Sequence, residues 1–505
     1  MPFCLRTFKS VGVILLLNCA LPVNAADWTF KPRLSVIQTH SNNLNLAPEG
    51  QETSQSVTQV NPGIGVSADG RRLQLEGRYN MQNLRYSDDS SLDRTNNQFS
   101  ALLRSEPIKD WFYLDWSGRL TQQLLSPQNG LPSDNLTPDN GSRGDVVTTS
   151  ISPQIRRKFG RDTDLALVYT EGWVNYEKGN ASDSNTENLS FTLGRPRTAS
   201  GVDWQLNASE ARTIRENSND FESRTIEGRV GFRVLPDTRF VAYAGREEGQ
   251  ISSSRNFEEG DYWSAGLYWQ PSPKFSLELT KGDNDQQEHL NFSPNTRSDI
   301  SISHIKREVG IRASDTWSAD VSHRTKRSDW GLGYSEQITS DAVLAITNQE
   351  FQVLEVGGNI VFDARGVPVV VLANQIGVVD EEFIRAIASA RIGYSTAKSR
   401  ISLVLSDETR DYEISARHSE SQSAFLNWNW KFAMKTSFNV GHRVTLTEED
   451  GFSDRETTIN TVTMTRTIGQ KADARLMWRQ ADVEQGSPSN DYRETRISAS
   501  LTIKF

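Results

Sequence analysis

The side chains able to do chemistry are few and dispersed. Six histidines, His40, His289, His304, His323, His418 and His442, stand far apart, with neither metal-ligand spacing nor a neighbouring serine motif. Against the geometric tests a catalytic constellation must pass, they read as solvated or interior side chains. Acidic stretches such as Asp88, Asp89 and Asp93, or Asp283 and Asp285, carry the oxygens that calcium takes. None has EF-hand spacing, and solvated loops are the simpler reading. There is no glycine-rich phosphate cradle. These residues predict no catalytic site, no cofactor and no metal centre.

The N-terminal residues 1–25 have the layout of an export signal. Arg6 and Lys9 precede the apolar run from Val11 to Leu17, and Val23, Asn24 and Ala25 supply small residues for a cut after Ala25. The apolar run is too short for a spanning helix, and Asn18 stands where a lipidated Cys19 would need a small residue. Both cysteines, Cys4 and Cys19, leave with this segment, which excludes disulfides and thiolate metal sites from the mature chain. Of 55 basic residues, Arg6 and Lys9 leave too, so 53 face 64 acidic ones, a balance of −11. That argues against a nucleic-acid partner.

The 505 residues are 36% hydrophobic and 24% charged, too polar for a bundle of membrane helices. After Ala26 the dominant period is two. Leu73, Leu75, Gly77, Tyr79 and Met81 alternate with Gln74, Glu76, Arg78 and Asn80. Phe112, Leu114, Trp116, Gly118 and Leu120 alternate with Tyr113, Asp115, Ser117 and Arg119. The pattern returns at Ile226–Val234 and Ala472–Trp478, with Glu227, Arg229, Arg233, Asp473 and Arg475 on the polar side. A soluble sandwich would alternate in the same way, so the connections decide. Tight links (69–70, 107–110, 235–238, 314–316, 432–435, 469–471) alternate with long polar ones (39–53, 126–144, 177–186, 249–260, 282–298, 485–490). Short turns on one rim and long loops on the other are expected of an up-and-down transmembrane barrel.

The expected fold is therefore all-β, a transmembrane antiparallel up-and-down β-barrel over 26–505 in the cell outer membrane. About 22 strands are expected, within 20 to 24 under the even-number rule for bacterial barrels. Its polar face would line a wet interior suited to water, ions and hydroxylated solutes. Ile497, Ala499, Leu501, Ile503 and Phe505 form an apolar face ending on an aromatic, the terminal signature read by the barrel assembly machinery; Phe505, Ile503 and Leu501 are the expected signal. Trp111, Trp269, Trp317 and Trp430 lie near predicted short turns, where an indole would meet lipid headgroups and lipopolysaccharide. Pro62 and Pro153 fall inside predicted strands and should mark bulges or strand ends. Residues 339–393 depart from the pattern. Their runs 351–358, 360–362 and 367–373, with a turn at 363–366 and a helix or strand over 380–392, read as an inserted segment or as two further strands.

Three stretches carry a resemblance: PRLSVIQTHSNNLNLAP (Pro32–Pro48), VTQVNPGIGVSADGRRLQLEGRYNMQNLRY (Val57–Tyr86) and VVTTSISPQIRRKFG (Val146–Gly160). In these the chain resembles the PEP-CTERM system-associated outer-membrane proteins, with weaker similarity of strand and turn pattern toward the C-terminus. The family's usual Asp-Asn before the first loop reads Asn42-Asn43 here. The resemblance implies an outer-membrane barrel found with exosortase and exopolysaccharide loci. Exopolysaccharide or its export proteins would then be partners. It assigns no functional residues. The leading expectation is a porin-like passage or platform. The alternatives are a non-conducting structural or adhesion barrel with a plugged lumen, and a barrel-borne hydrolase, to which no residue points.

Overall fold

The computed structural model describes residues 26–505 except 125–135, 138–142, 161, 178–181, 196–200, 217–219, 252–254, 257–258, 311–313, 348–380, 413 and 487–489. The expected cleavage after Ala25 and the expected hairpin over 351–373 lie outside the described residues.

Twenty-four long strands run through the described residues. They are β1 Asp27–Ser41, β2 Gln55–Asp69, β3 Leu73–Tyr86, β4 Arg94–Ile108, β5 Phe112–Leu124, β6 Arg143–Phe159, β7 Thr163–Tyr176, β8 Ser184–Arg195, β9 Val202–Arg215, β10 Phe221–Leu235, β11 Thr238–Ile251 and β12 Gly260–Ser272. The second half comprises β13 Phe275–Asp283, β14 Asp285–Asn295, β15 Ser298–Arg307, β16 Ser314–Arg324, β17 Ser328–Ser340, β18 Glu382–Ser395, β19 Ser399–Tyr412, β20 His418–Ala433, β21 Thr436–Glu449, β22 Arg455–Ile468, β23 Ala472–Glu484 and β24 Tyr492–Lys504. Each pairs antiparallel with its neighbour in sequence, and β24 returns to β1 from Arg33↔Lys504 to Ser41↔Arg496, which closes the wall. Phe505 lies at this seam, its N–H donating to Pro32 O at 3.1 Å.

The alternation sorts side chains to two faces. Ile226, Val230, Phe232, Leu267, Leu332, Ile392, Leu405, Leu426, Ile497 and Leu501 all point away from the axis and are exposed. In water this belt would be unfavourable by about 25 cal/mol for each Å² of apolar surface; in a bilayer it meets hydrocarbon. The closed, belted barrel is an outer-membrane protein, with its short links (70–72, 109–111, 236–237, 273–274, 434–435, 469–471) on the periplasmic rim.

The strand count lies inside the expected range, but two connections differ. Residues 282–298 are not a long loop: β14 runs through them, and Asn284, at φ 60°, reverses the chain in a single step between β13 and β14. The alternation is silent there because Gln286, Gln287, Glu288 and His289 put polar groups on both faces. Residues 314–316 are not a tight turn but the start of β16, and the link precedes them.

Pro62 and Pro153 mark neither bulges nor strand ends. Pairing with β3 lapses between Val60↔Asn83 and Gly63↔Asn80, and pairing of β6 with β7 lapses between Ile151↔Glu171 and Gln154↔Val168, with unchanged register on either side. The opposite ladders continue through Leu34↔Pro62 and Leu114↔Pro153. A proline can sit mid-strand here because only one of its two ladders loses a donor.

The atypical stretch 339–393 divides. Thr339 and Ser340 end β17, a short helix α1 spans Asp341–Thr347, and Glu382 onward forms β18 in the wall.

Candidate passage through the barrel

With 24 strands, a circular wall would be about 45–50 Å across. Strands β9 and β18 are separated by β10 to β17 on one side and by β19 to β24 and β1 to β8 on the other, so a round barrel would hold them far apart. Instead Arg215 of β9 donates to Glu382 of β18 through two bonds, Nη2–Oε1 at 2.5 Å and Nη1–Oε2 at 3.2 Å. Both side chains are 2% exposed. Arginine and glutamate together reach roughly 15 Å between backbones, so the wall is pinched at the loop-side rim.

Helix α1 fills the pinch. Ala342 and Ile346 pack on Val146 of β6 and Val174 of β7, while Leu344 packs on Phe383 of β18 and Tyr412 of β19. Gly172 of β7 is needed beneath it: a Cβ there would stand 2.5 Å from Ile346 Cδ1. Arg410 anchors the first helical turn, donating to Asp341 Oδ1 at 3.0 Å and Glu408 Oε1 at 2.8 Å, and Arg385 donates to both oxygens of Glu408. Each of these buried charges has an opposite charge at hydrogen-bond distance, which offsets the cost of burying it.

The pinch separates two lobes of different chemistry. In the smaller lobe, β10 to β17 with the flanking β9, ion pairs line the lumen from the periplasmic side, at Asp203 and Arg239, to the loop side, at Asp285 and Arg307. Arg229 and Arg239 both donate to Asp203, Tyr243 donates to Glu278, and Arg307 of β15 reaches Asp285, Glu227 and Glu247 at 3.0, 3.4 and 3.4 Å while lying over the Tyr262 ring.

The larger lobe, β19 to β24 and β1 to β8, is lined chiefly by neutral hydroxyls and amides. Hydroxyl pairs cross the strands at Ser35–Thr502, Thr39–Ser498, Ser406–Ser423, Ser117–Ser150 and Ser152–Thr170, all between 2.8 and 3.0 Å. An amide ladder continues the wall: Gln82 donates to Gln59 at 2.9 Å, Gln98 to Gln122 at 3.3 Å, and Gln122 to Asp145 at 2.7 Å. Toward the periplasmic rim this wall turns cationic, with Arg78, Arg104 and Arg156 exposed in the lumen. On the loop side it is partly covered: Leu44 and Leu136 pack into Val57, Leu84 and Tyr86, and Leu46 packs on Ala481, Val483 and Tyr492.

The expected lumenal residues Glu76, Arg78, Asp115, Arg119, Glu227, Arg229, Arg233, Asp473 and Arg475 all take the inward parity of their strands. Trp111, Trp269 and Trp430 lie beside periplasmic turns, Trp430 stacked with Trp428 and Phe438. Trp317 lies on the other rim, near the start of β16 on the loop side and stacked on His304 at 4.1 Å; the tight turn expected at 314–316 does not exist. Leu501 and Ile503 face outward on β24, and Phe505 is exposed beyond it.

Sequence reading missed the serine–histidine contacts, because cross-strand register rather than sequence proximity creates them: Ser303–His289 at 2.8 Å, Ser298–His323 at 2.7 Å and Ser56–His40 at 3.1 Å. The other ring nitrogen of His289 reaches Gln287 Oε1 at 3.5 Å, an amide rather than a carboxylate. In the loop 87–93, Asp93 accepts from Arg85 at 2.7 Å and from the Tyr86 N–H at 2.9 Å, which holds its carboxyl below the usual carboxylate range, chiefly through the Arg85 bond. Asp89 spends an oxygen on Ser91.

By sequence, the chain matches no family model and no curated protein. Among solved structures it is similar to the siderophore receptor PirA from Pseudomonas aeruginosa (12% identity, 94% of this chain and 80% of that one, TM-score 0.40). It is also similar to the FrpB iron transporter from Neisseria meningitidis (9%, 96% and 83%, 0.46) and to an anion-selective porin from Comamonas acidovorans (9%, 95% and 100%, 0.34). None of these likenesses carries a functional argument.

Proposed function

We propose that the larger lobe is a passage for hydroxylated solutes, serving exopolysaccharide export of the PEP-CTERM type, and that the protein is not an enzyme. The observation that carries this reading is the wall itself. Neutral hydroxyl and amide groups in contiguous cross-strand pairs offer a sugar chain many weak hydrogen bonds and no deep charge trap, which suits movement better than retention. The resemblance in Pro32–Pro48, Val57–Tyr86 and Val146–Gly160 supplies the link to exopolysaccharide. Phe505, Ile503 and Leu501 serve as the assembly signal in this reading.

Purified barrel in planar bilayers should conduct, and neutral oligosaccharides should block the current transiently. A silent bilayer would overturn the passage. A second reading has its own support: Leu44, Leu136 and helix α1 cover the loop-side lumen, as a non-conducting barrel with surface-docking loops requires. Silence in the full chain, with conduction only after α1 is displaced, would favour it.

A further inference from the structure

At the periplasmic mouth of the larger lobe, the turn 70–72 and the lumen faces of β3 to β6 border an open cavity of about 270 Å³. Its lining includes Arg71, Arg72, Arg104, Arg156, Tyr113 and Gln154, together with Glu106 and Asp115. The carboxylates are already engaged: Gln154 Nε2 donates to Asp115 at 2.9 Å, and the Asp110 N–H donates to Glu106 at 2.5 Å. The guanidiniums are not. Among the described residues none of the four makes an ion pair or side-chain hydrogen bond, and Arg156 only approaches the Tyr113 ring at 6.0 Å.

By contrast, Arg215, Arg307, Arg385 and Arg410 in the same lumen are each tied to an acid. Four unspent guanidiniums against two engaged carboxylates leave a local surplus of positive charge in a chain whose net charge is −9. Like charges gathered without partners repel one another, so their convergence is relieved when an anion enters. The guanidinium fork offers paired N–H donors matched to a planar oxyanion.

We infer that this cavity is an oxyanion-binding site that receives carboxylate or phosphate groups entering the lumen from the periplasm. The inference rests on the passage reading only for the source of the anion. A uronic-acid sugar chain would present carboxylates at the mouth before reaching the neutral wall, whereas free phosphate would bind without a chain attached.

The test uses the full mature barrel in detergent, titrated separately with galacturonate oligomers, with neutral oligomers of equal length and with inorganic phosphate, read by calorimetry. Either anion should bind, and Arg104→Gln/Arg156→Gln should weaken it about a hundredfold, as expected for the loss of two charge-assisted contacts of roughly tenfold each. Binding of galacturonate alone assigns the saccharide source, and binding of phosphate alone assigns the free ion. If the double variant fails to show the gel shift of a folded barrel, Arg71→Gln/Arg72→Gln removes two of the same charges from the turn, outside every strand. Equal binding of neutral and acidic oligomers, no binding of either anion, or affinity unchanged in a folded variant would each overturn the site. A conducting barrel that binds no anion breaks this inference alone, and a silent barrel that binds anions breaks only the passage reading.

Discussion

The two lobes answer the same problem, polar groups inside a barrel, in opposite ways. The smaller lobe and the pinch concentrate charge into pairs such as Arg215–Glu382 and Arg229–Asp203, each nearly sealed from water. Apart from the buried pair Arg496–Glu494 near the seam, the larger lobe spreads polarity over hydroxyls and amides that satisfy one another across strands, as at Ser117–Ser150 and Gln98–Gln122. A sealed ion pair is all-or-none, because losing one partner strands a buried charge. A hydroxyl ladder degrades gradually, because each member contributes little and water can replace it. The first chemistry fixes where walls meet; the second leaves a surface that a solute can slide along.

The comparison breaks most visibly at the pinch. Arg215→Ala should cost about 3–5 kcal/mol by urea unfolding in lipid and raise conductance, whereas the double substitution Arg215→Met/Glu382→Leu should recover most of that stability. A single variant as stable as the wild type would mean the walls do not meet there. Next in size is Gly172→Val, whose side chain would drive Ile346 off β7; a loss of roughly 1–3 kcal/mol with increased protease cleavage within α1 is expected. In the neutral wall, Gln98→Leu should cost only about 1 kcal/mol while leaving single-channel current unchanged. A cost comparable to that of Arg215→Ala would erase the distinction between the lobes. The smallest effect belongs to pH at the rim. Asp93 has a depressed carboxyl, so its tie to Arg85 holds above the unfolded carboxylate range and is lost only as pH falls through the lower folded value. The protection of the Tyr86 amide, measured against its intrinsic exchange rate at each pH, should therefore fall only in that acid window, and a fall near neutrality would count against the tie.

Much of the barrel was legible from alternation and link length, because each strand has one face in lipid and each hairpin is local. The signal failed where a strand is polar on both faces, as in β14, and where one residue, Asn284, does the work of a loop. The aromatic positions followed the turns, so the misplaced turn at 314–316 carried Trp317 to the wrong rim. The lumen's charged residues were assigned to the correct face by parity alone. Their partners were not legible: Arg215 and Glu382 lie 167 residues apart, and nothing local records a meeting that depends on how the whole circuit bends. The serine–histidine contacts were hidden for a related reason, since register is fixed only after hairpins form.

The two lapsed ladders beside Pro62 and Pro153 bear on how such a wall fluctuates. Each is a slot of two missing pairs, one between β2 and β3 and one between β6 and β7, and the arginine cavity lies on the strands between them. The backbone amide of Met81, facing the first slot, should exchange with solvent deuterium ahead of its neighbours. The wall is thereby loosened at two points within its span, while the pairs above and below each slot keep the strands in register.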